Sequence, residues 1–329
     1  MKKTVLINGT FNSGSGAIND YLSSRRDFHN PLGDNEFRIV SDPMGLHNLY
    51  NSCYSNNRLL SSAYGFTEFL NYVKNLQKYV IYVSPGKKGK IYNSNLIKFT
   101  DEFIKSITKL NYYAVPHYTR VNFDLKSKIN YSLGLKLNKK IYDLIRTNII
   151  IPKSKEIFIK NSKKYIKQII EKTTINGLAK ENIVLNNAID ALDPIESSKY
   201  FINPKIVIVT RDPRDIFSSM KIRKSGAGPN YNVKIFIDWY KHFFGSLHFK
   251  KTIKNKKILH IKFENFVSNF NKENLRLCKF LEIDEKFILR KNCLFKLEES
   301  KKNIGKSKKN LTKSEYNLIK SKLSEHLRW

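Results

Sequence analysis

An arginine and a serine eight residues apart follow the most β-branched short run of the sequence. Residues 206–210 predict a buried strand of a parallel sheet, and the carboxyl ends of such strands are where open α/β sheets bind ligands. Arg211 follows directly and offers a planar, permanently charged fork to a phosphate. Pro213 suits a helix start, and Ser219 lies about two turns along that helix. One anion can therefore contact Arg211 and Ser219 together, and a salt-bridged strand-to-helix turn is the structural alternative.

A second strand-loop-helix pattern stands near the N-terminus. The apolar run at 4–7 is followed by a loop rich in glycine and serine at 8–17, and then by helical spacing of Ile18, Tyr21 and Leu22. Glycines let the backbone turn tightly and approach a ligand, and the helix that follows points its free amide groups at an anion. The layout is typical of a phosphate-binding loop.

Two common nucleotide-binding motifs do not fit this loop. Counting G-x-x-x-x-G-K-[ST] from Gly9 puts Ser15 where the lysine should stand, which argues against a kinase-type loop. Counting G-x-G-x-x-G from Gly14 puts Asn19 at the third glycine. A dinucleotide fingerprint therefore fits poorly as well.

Together the two segments resemble the sulfotransferase superfamily, which uses 3′-phosphoadenosine 5′-phosphosulfate (PAPS) as its sulfuryl donor. Residues 13–15 match the family's Ser-Gly-[Ser/Thr] core around the 5′-phosphosulfate, and residues 211–219 match its Arg-x-Pro-[Arg/Lys]-Asp-x-x-x-Ser segment around the 3′-phosphate. The resemblance implies PAPS as co-substrate and no metal. It implies these donor contacts: Asn12, Ser13, Gly14, Ser15, Gly16, Ala17, Arg211 and Ser219.

Further stretches carry the same resemblance. Residues 300–306 lie where the family has a basic loop that closes over the 3′-phosphate, so Lys301 and Lys302 are expected to clamp the donor. Residues 36–46 and 186–188 resemble a bacterial branch associated with surface polysaccharides. The resemblance therefore implies a sulfotransferase that modifies a hydroxyl of a glycan or another cell-surface precursor.

The residue before the Ser-Gly-Ser core departs from the family pattern. Many members carry Lys or Arg there, where the charge stabilises the bridging oxygen as sulfate leaves, and this chain has Asn12. A neutral amide does not replace that charge fully. Three interpretations stay open: a lysine from elsewhere supplies the charge, transfer is slow, or the chain binds without catalysing.

The charge of the chain favours anionic partners. Its 329 residues include 60 Lys and Arg against 28 Asp and Glu, a formal net charge of +32. Nucleic acid is a rival partner, because nonspecific phosphate contacts need only distributed lysines. The abundance of Lys, Asn and Ile also fits A/T-biased codons. Since zinc-finger spacing and RNA-binding aromatic signatures are absent from the sequence, we expect no specific nucleic-acid partner.

Cysteine usage and the N-terminal residues predict a cytoplasmic location. Cys53, Cys278 and Cys293 are far apart and do not suggest a disulfide scaffold. The apolar run at 4–7 is too short for a signal peptide or a membrane span. Peripheral membrane contact through positive charge stays open.

Strands that alternate with helices predict an α/β fold, with a three-layer central parallel sheet and flanking helices. With 41% hydrophobic residues the chain can bury one large core, and we expect a single domain over 1–329. Helical spacing at 97–110 and 137–149 predicts a helical insertion over about 86–180. Such an insertion would cap the cleft, shape the acceptor pocket and exclude water.

Two residues are candidates for the base that deprotonates the acceptor. Sulfuryl transfer resembles phosphoryl transfer, in which positioning and charge stabilisation supply most of the catalysis, and a base adds to them. His117 lies in a polar-aromatic loop and Asp42 precedes a proline. The pair Asn186 and Asn187 is either a ligand of acceptor hydroxyls or a simple loop cap.

Two other classes of protein remain as rivals. A nucleotide-binding, kinase-like enzyme should depend on magnesium and ATP. A non-catalytic protein that binds polyanions or nucleic acid should bind such polymers and turn nothing over.

Overall fold

The computed structural model describes residues 3–9, 12–33, 35–56, 58, 60–84, 87–136, 146–176, 182–224, 228–286, 288–290 and 294–327. The strands within these ranges are β1 (Thr4–Gly9), β2 (Phe28–His29), β3 (Val80–Ser84), β4 (Lys87–Lys90), β5 (Thr108–Ala114), β6 (Thr147–Pro152), β7 (Asn182–Asn186), β8 (Pro204–Thr210) and β9 (Ile258–Lys262).

Helices make up most of the remaining secondary structure. They are α1 (Ser15–Ser24), α2 (Leu46–Tyr54), α3 (Ser61–Lys78), α4 (Asn95–Ile107), α5 (His117–Val121), α6 (Leu125–Lys136), α7 (Lys155–Lys172), α8 (Pro194–Ser198), α9 (Pro213–Arg223), α10 (Val233–Gly245), α11 (Leu247–Ile253), α12 (Phe263–Ser268), α13 (Phe270–Leu281), α14 (Leu297–Lys301), α15 (Ser307–Asn310) and α16 (Lys313–Lys322), followed by a 3₁₀ turn at Ser324–His326. No helix in the described ranges is long and apolar enough to cross a membrane.

A five-stranded parallel sheet forms the centre of the fold, in the order β2-β7-β1-β8-β9. Alternate residues of its strands pack into two separate cores, as expected for a sheet that is covered on both faces. Leu6 belongs to one core, whereas Val5 and Ile7 belong to the other. The predicted α/β fold with a parallel central sheet and flanking helices is confirmed.

The chain between β2 and β7 leaves the central sheet and builds helices and two small antiparallel sheets. β3 pairs with β4, and β5 pairs with β6. The predicted helix at 97–110 is α4, which ends at Ile107, three residues early. The predicted helix at 137–149 is wrong at its end, because residues 147–149 begin β6, whose β-branched run 149–151 favours a strand.

The remainder of that predicted helix, 137–145, lies outside the described residues, as do positions 86 and 177–180 at the ends of the predicted insertion. The described part of the range 86–180 contains β4, β5 and β6 as well as helices, so the prediction of a helical composition is wrong. A single domain over the whole chain and a lid function of the insertion both stay predictions.

Candidate active site

A cleft of about 840 Å³ lies where β1, β7 and β8 end. Its lining includes the loop 12–17 after β1, the pair 186–187 at the end of β7, and Arg211 directly after β8. β1 and β8 are neighbours in the sheet, and Gly9 at the end of β1 is in register with Val209. The two segments that the sequence singled out therefore meet in one cleft.

The loop after β1 makes a sharp turn into α1. Asn12 and Gly14 both adopt left-handed backbone conformations, with φ of 56° and 88°, and such angles suit Asn and Gly best. Helix α1 begins at Ser15. Ala17 donates its amide to the Gly14 carbonyl at 3.0 Å, so the amides of Ser15 and Gly16 are the first-turn donors that remain for an anion.

Ser13 has a buried hydroxyl that faces this turn. Its side chain is 1% exposed, and its Oγ has no hydrogen-bond partner among the described residues. A buried polar group without a partner costs about 1–3 kcal/mol, so such groups are found where a ligand or water completes them. Because Ser13 also lines the cleft, its hydroxyl fits an oxygen atom of a bound anion.

Gly14 is required by the packing of the loop, and Gly14→Ala should lower the free energy of unfolding by about 1–3 kcal/mol. A Cβ at this position would lie 2.3 Å from Cδ2 of Phe263, at a φ of 88°. Gly16→Ala is the matched control, because its Cβ would meet no atom within 4 Å and alanine favours the helix. Urea unfolding of the ligand-free protein measures both, and equal effects of the two substitutions would contradict this account.

Arg211 joins three parts of the chain inside the cleft. Its Nη1 donates to the carbonyl oxygen of Asn12 at 3.1 Å and to Oγ of Ser219 at 3.2 Å. Its Nη2 donates to the carbonyl oxygen of Asn303 at 2.6 Å. The guanidinium lies over the Phe263 ring, 5.2 Å from the centroid. Arg211 and Ser219 are thus in direct contact, and Asn12 of the loop of residues 12–17 joins them. An anion held by both side chains stays a prediction.

The electrostatic setting of Arg211 favours an anionic ligand. Burial lowers the pKa of its guanidinium, and the carboxylates of Asp215 and Glu264 act in the opposite direction. Its Nε is buried and has no hydrogen-bond partner among the described residues. A desolvated arginine with a remaining donor is well suited to hold a phosphate.

The salt-bridged turn that the sequence offered as an alternative is also present, on the neighbouring residues. Arg214 donates to both carboxylate oxygens of Asp212, at 2.9 and 2.8 Å, and both side chains are buried. Asp212 also accepts the amide of Arg214, while its own amide donates to Glu264 at 2.8 Å. This pair fixes the strand-to-helix turn and leaves Arg211 to face the cleft.

Asp215 holds the C-terminal loop, residues 300–306, against α9. Its two carboxylate oxygens accept the amides of Gly305 and Ser307, at 2.8 and 2.9 Å. Through this anchor Ser300 and Asn303 reach the lining of the cleft. The predicted C-terminal loop therefore does lie at the cleft.

The two lysines predicted to clamp the donor are placed differently from Ser300 and Asn303. Lys301 forms an ion pair with Glu298 at 2.8 Å, and Lys302 forms one with Glu299 at 2.7 Å. Neither lysine belongs to the residues that line the cleft. Their role as clamps stays a prediction.

The candidate bases from the sequence are not among the residues that line the described part of the cleft. His117 is exposed at the first turn of α5. Asp42 accepts a hydrogen bond from the hydroxyl of Tyr72 at 2.7 Å, and burial together with this carboxylate raises the pKa of Tyr72. The structure therefore does not bring either residue to Arg211.

The cleft has a second polar wall, formed by Glu36, Arg38, Ser41, Asn187 and Asp190. Among these residues the sequence offered a role for Asn187 alone. Glu36 pairs with Arg38 at 2.6 Å and accepts a hydrogen bond from the side chain of Asn187. Ser41 donates to the carbonyl oxygen of Asn187 at 3.0 Å, and Asp190 also lines this wall. Residues 186–190 follow a predicted strand, and this position could have identified them as cleft residues from the sequence alone. Nothing comparable identified Glu36.

The cationic residues that line the described part of the cleft are Arg38, Arg211 and Arg223. The sequence raised the possibility that a lysine replaces the charge missing at Asn12. The cationic side chains in the described lining are arginines, and Asn12 itself contributes its carbonyl oxygen to Arg211.

Comparison with known proteins gives one family match. Residues 111–286, a little over half of the chain, match the model described as "Sulfotransferase family". The matched range contains the segment 211–219 and begins after the loop of residues 12–17. No curated protein sequence matches the chain.

Several solved structures are similar to this chain at low identity. The sulfotransferase domain from the Curacin biosynthetic pathway is 14% identical with a TM-score of 0.41, over 100% of this chain and 99% of that chain. Sulfotransferase STF1 from Mycobacterium tuberculosis H37Rv is 10% identical with a TM-score of 0.37, over 93% and 77%. Mouse sulfotransferase SULT7A1 complexed with PAP is 17% identical with a TM-score of 0.30, over 54% and 72%.

Proposed function

Because the chain belongs to the sulfotransferase family, we propose that it transfers a sulfuryl group from PAPS to a hydroxyl of a glycan or another cell-surface precursor. The observation that supports this donor is the meeting of Arg211, Ser219 and the loop of residues 12–17 in one cleft. A donor with two phosphate-bearing positions needs two anion sites, and we assign one to each of these two segments.

Arg211 and Ser219 are the proposed partners of the 3′-phosphate. The buried guanidinium keeps a donor at Nε, and the Ser219 hydroxyl lies 3.2 Å from Nη1, so one phosphate can contact both side chains. The loop is the proposed partner of the 5′-phosphosulfate, through the Ser13 hydroxyl and the first-turn amides of Ser15 and Gly16. When bound, the donor supplies the sulfuryl group and a phosphate leaving group.

The cleft arginines are proposed to stabilise the negative charge that develops on the leaving group. Asn12 stands where many family members carry a cation, and its amide is neutral. Arg38 lines the same cleft as Asn12 and brings a permanent charge to it. Preorganised charges in a site of this kind usually supply the largest part of the rate enhancement.

Glu36 is the proposed base. Its carboxylate lines the cleft and is fixed in position by Arg38 and Asn187, whereas His117 and Asp42 lie outside the cleft lining. A base must come within hydrogen-bond reach of the proton that it removes. The hydroxyl of Ser41 and the carboxylate of Asp190 on the same wall offer hydrogen bonds to further hydroxyls of an acceptor, which suits a sugar.

Calorimetric titration with adenosine 3′,5′-bisphosphate tests the donor site. We expect the bisphosphate to bind at least about tenfold more tightly than AMP, at moderate salt and without magnesium, because AMP leaves Arg211 and Ser219 without an anion. ATP should also bind more weakly than the bisphosphate, since its phosphates all extend from the 5′ position.

The rival functions predict different titrations. A kinase-like enzyme should bind ATP best and only with magnesium. A general polyanion-binding protein should bind all three nucleotides equally and lose them together as salt is raised. Either result would contradict the proposed donor.

A further inference from the structure

A second cavity of about 520 Å³ lies beside the edge strand β9. It is lined in part by Thr210 and Lys262, the last residues of β8 and β9. The next residues in the chain, Arg211 and Phe263, line the active-site cleft instead. The two cavities are therefore separate spaces on either side of the same strand ends.

The interior of this second cavity is mostly apolar and aromatic. Phe244 and Phe249 are buried and meet edge to face, with ring centroids 4.8 Å apart. Ile253 also lines the cavity, although its side chain is 60% exposed. Exposed apolar surface next to buried rings favours a ligand with an apolar body.

Cationic side chains surround this apolar surface. Lys250, Lys262 and Arg276 line the cavity, and Glu325 is the carboxylate in its lining. Arg276 pairs with Glu273 at 2.7 Å and still leaves 44% of its side chain exposed. The balance of charge around the cavity is positive, so it favours an anionic group on the ligand.

Two histidines complete the polar part of the cavity. His260 has a buried Nε2 without a hydrogen-bond partner among the described residues, and burial lowers the pKa of its imidazole. His326 lies 3.2 Å from the Glu325 carboxylate. The neutral His260 ring can donate or accept one hydrogen bond from a polar atom in the cavity.

We propose that this cavity is a binding site for an amphipathic organic anion, with a ring-sized apolar body and one anionic group. Its volume falls in the usual range of about 300–1,000 Å³ for small-molecule sites, which combine apolar walls with a few placed polar groups. The apolar body packs on Phe244 and Phe249, and the anionic group lies between Lys262 and Arg276. The proposal does not depend on the sulfuryl-transfer reaction.

Fluorescence titration with 8-anilinonaphthalene-1-sulfonate tests the site, because this probe carries fused aromatic rings and one sulfonate. We expect saturable binding of one probe molecule by the full folded chain. Gly245 lines the cavity, and a Cβ there would meet no atom within 4 Å, so Gly245→Phe is chosen to place a large side chain at the cavity. This substitution should weaken binding by about tenfold or more.

A second variant keeps the test decisive if Gly245→Phe does not fold. Lys262→Glu changes an exposed side chain at the cavity and should weaken the probe severalfold. Lys286→Glu makes the same change of charge on the exposed surface outside the cavity lining, and should leave the affinity unchanged. Binding that does not saturate, or that is equal in wild type, Gly245→Phe and Lys262→Glu, would overturn the proposal, since the probe would then be bound elsewhere.

Discussion

Replacement of Arg211 by alanine should weaken the binding of adenosine 3′,5′-bisphosphate by about 10²-fold or more. Hydrogen bonds to charged groups contribute about 1.5–3 kcal/mol each, and a guanidinium fork offers two of them to one phosphate. The substitution also leaves the carbonyl oxygens of Asn12 and Asn303 without their donor. Calorimetric titration of the variant against wild type measures the loss.

The same variant should lose much less affinity for AMP. AMP lacks the 3′-phosphate, so only the indirect effect through the loop of residues 12–17 remains. Arg211→Lys is the matched control: it keeps the charge, cannot form the fork and should fall between alanine and wild type. Equal losses for AMP and the bisphosphate would show that Arg211 supports the fold of the cleft without contacting the 3′-phosphate.

Replacement of Glu36 by glutamine should lower kcat by about 10²- to 10⁴-fold, the usual contribution of a general base. The amide keeps the size of the side chain and cannot accept the proton of the acceptor. Affinity for the bisphosphate should stay unchanged, because Glu36 is not among the proposed contacts of the donor. The assay follows radiolabelled sulfuryl transfer from PAPS to a panel of mono- and oligosaccharides.

His117→Ala and Asp42→Asn decide between the three candidate bases in the same assay. We expect His117→Ala to retain most of its activity, since this side chain is exposed on α5 and outside the cleft lining. A large loss in His117→Ala or Asp42→Asn, with Glu36→Gln close to wild type, would return the role of base to the residue that the sequence proposed.

The part of the cleft that we assign to the donor was predictable because its residues are local in the sequence. Ser13 and Gly14 follow one strand, and Arg211 and Ser219 lie on either side of one helix start. In each segment the residue types themselves carry the signal. Parallel strands then bring the two segments to the same edge of the sheet, which is a rule of the fold and needs no further information.

The part that we assign to the acceptor was not predictable by the same means. Glu36 lies in an irregular stretch after β2, and it reaches the cleft through its contact with Asn187, 151 residues later. Asn303 contributes its backbone carbonyl oxygen to Arg211. Because every residue has such a group, the residue type does not indicate this contact. The prediction chose Lys301 and Lys302 instead. In the structure each of these lysines forms an ion pair with the glutamate three residues before it.

The sheet order has a consequence for how the protein is made. β1 ends at Gly9, but its partners in the sheet are β7 and β8, which end at Asn186 and Thr210 and are synthesised much later. At typical rates of about 5–20 residues per second, β1 waits roughly 10–40 s before β8 exists. During that time its apolar side chains have no sheet to enter, which is a period of exposure to aggregation and to chaperones. A nascent chain stopped before β8 therefore carries the loop of residues 12–17 without one of the two strands that pair with β1.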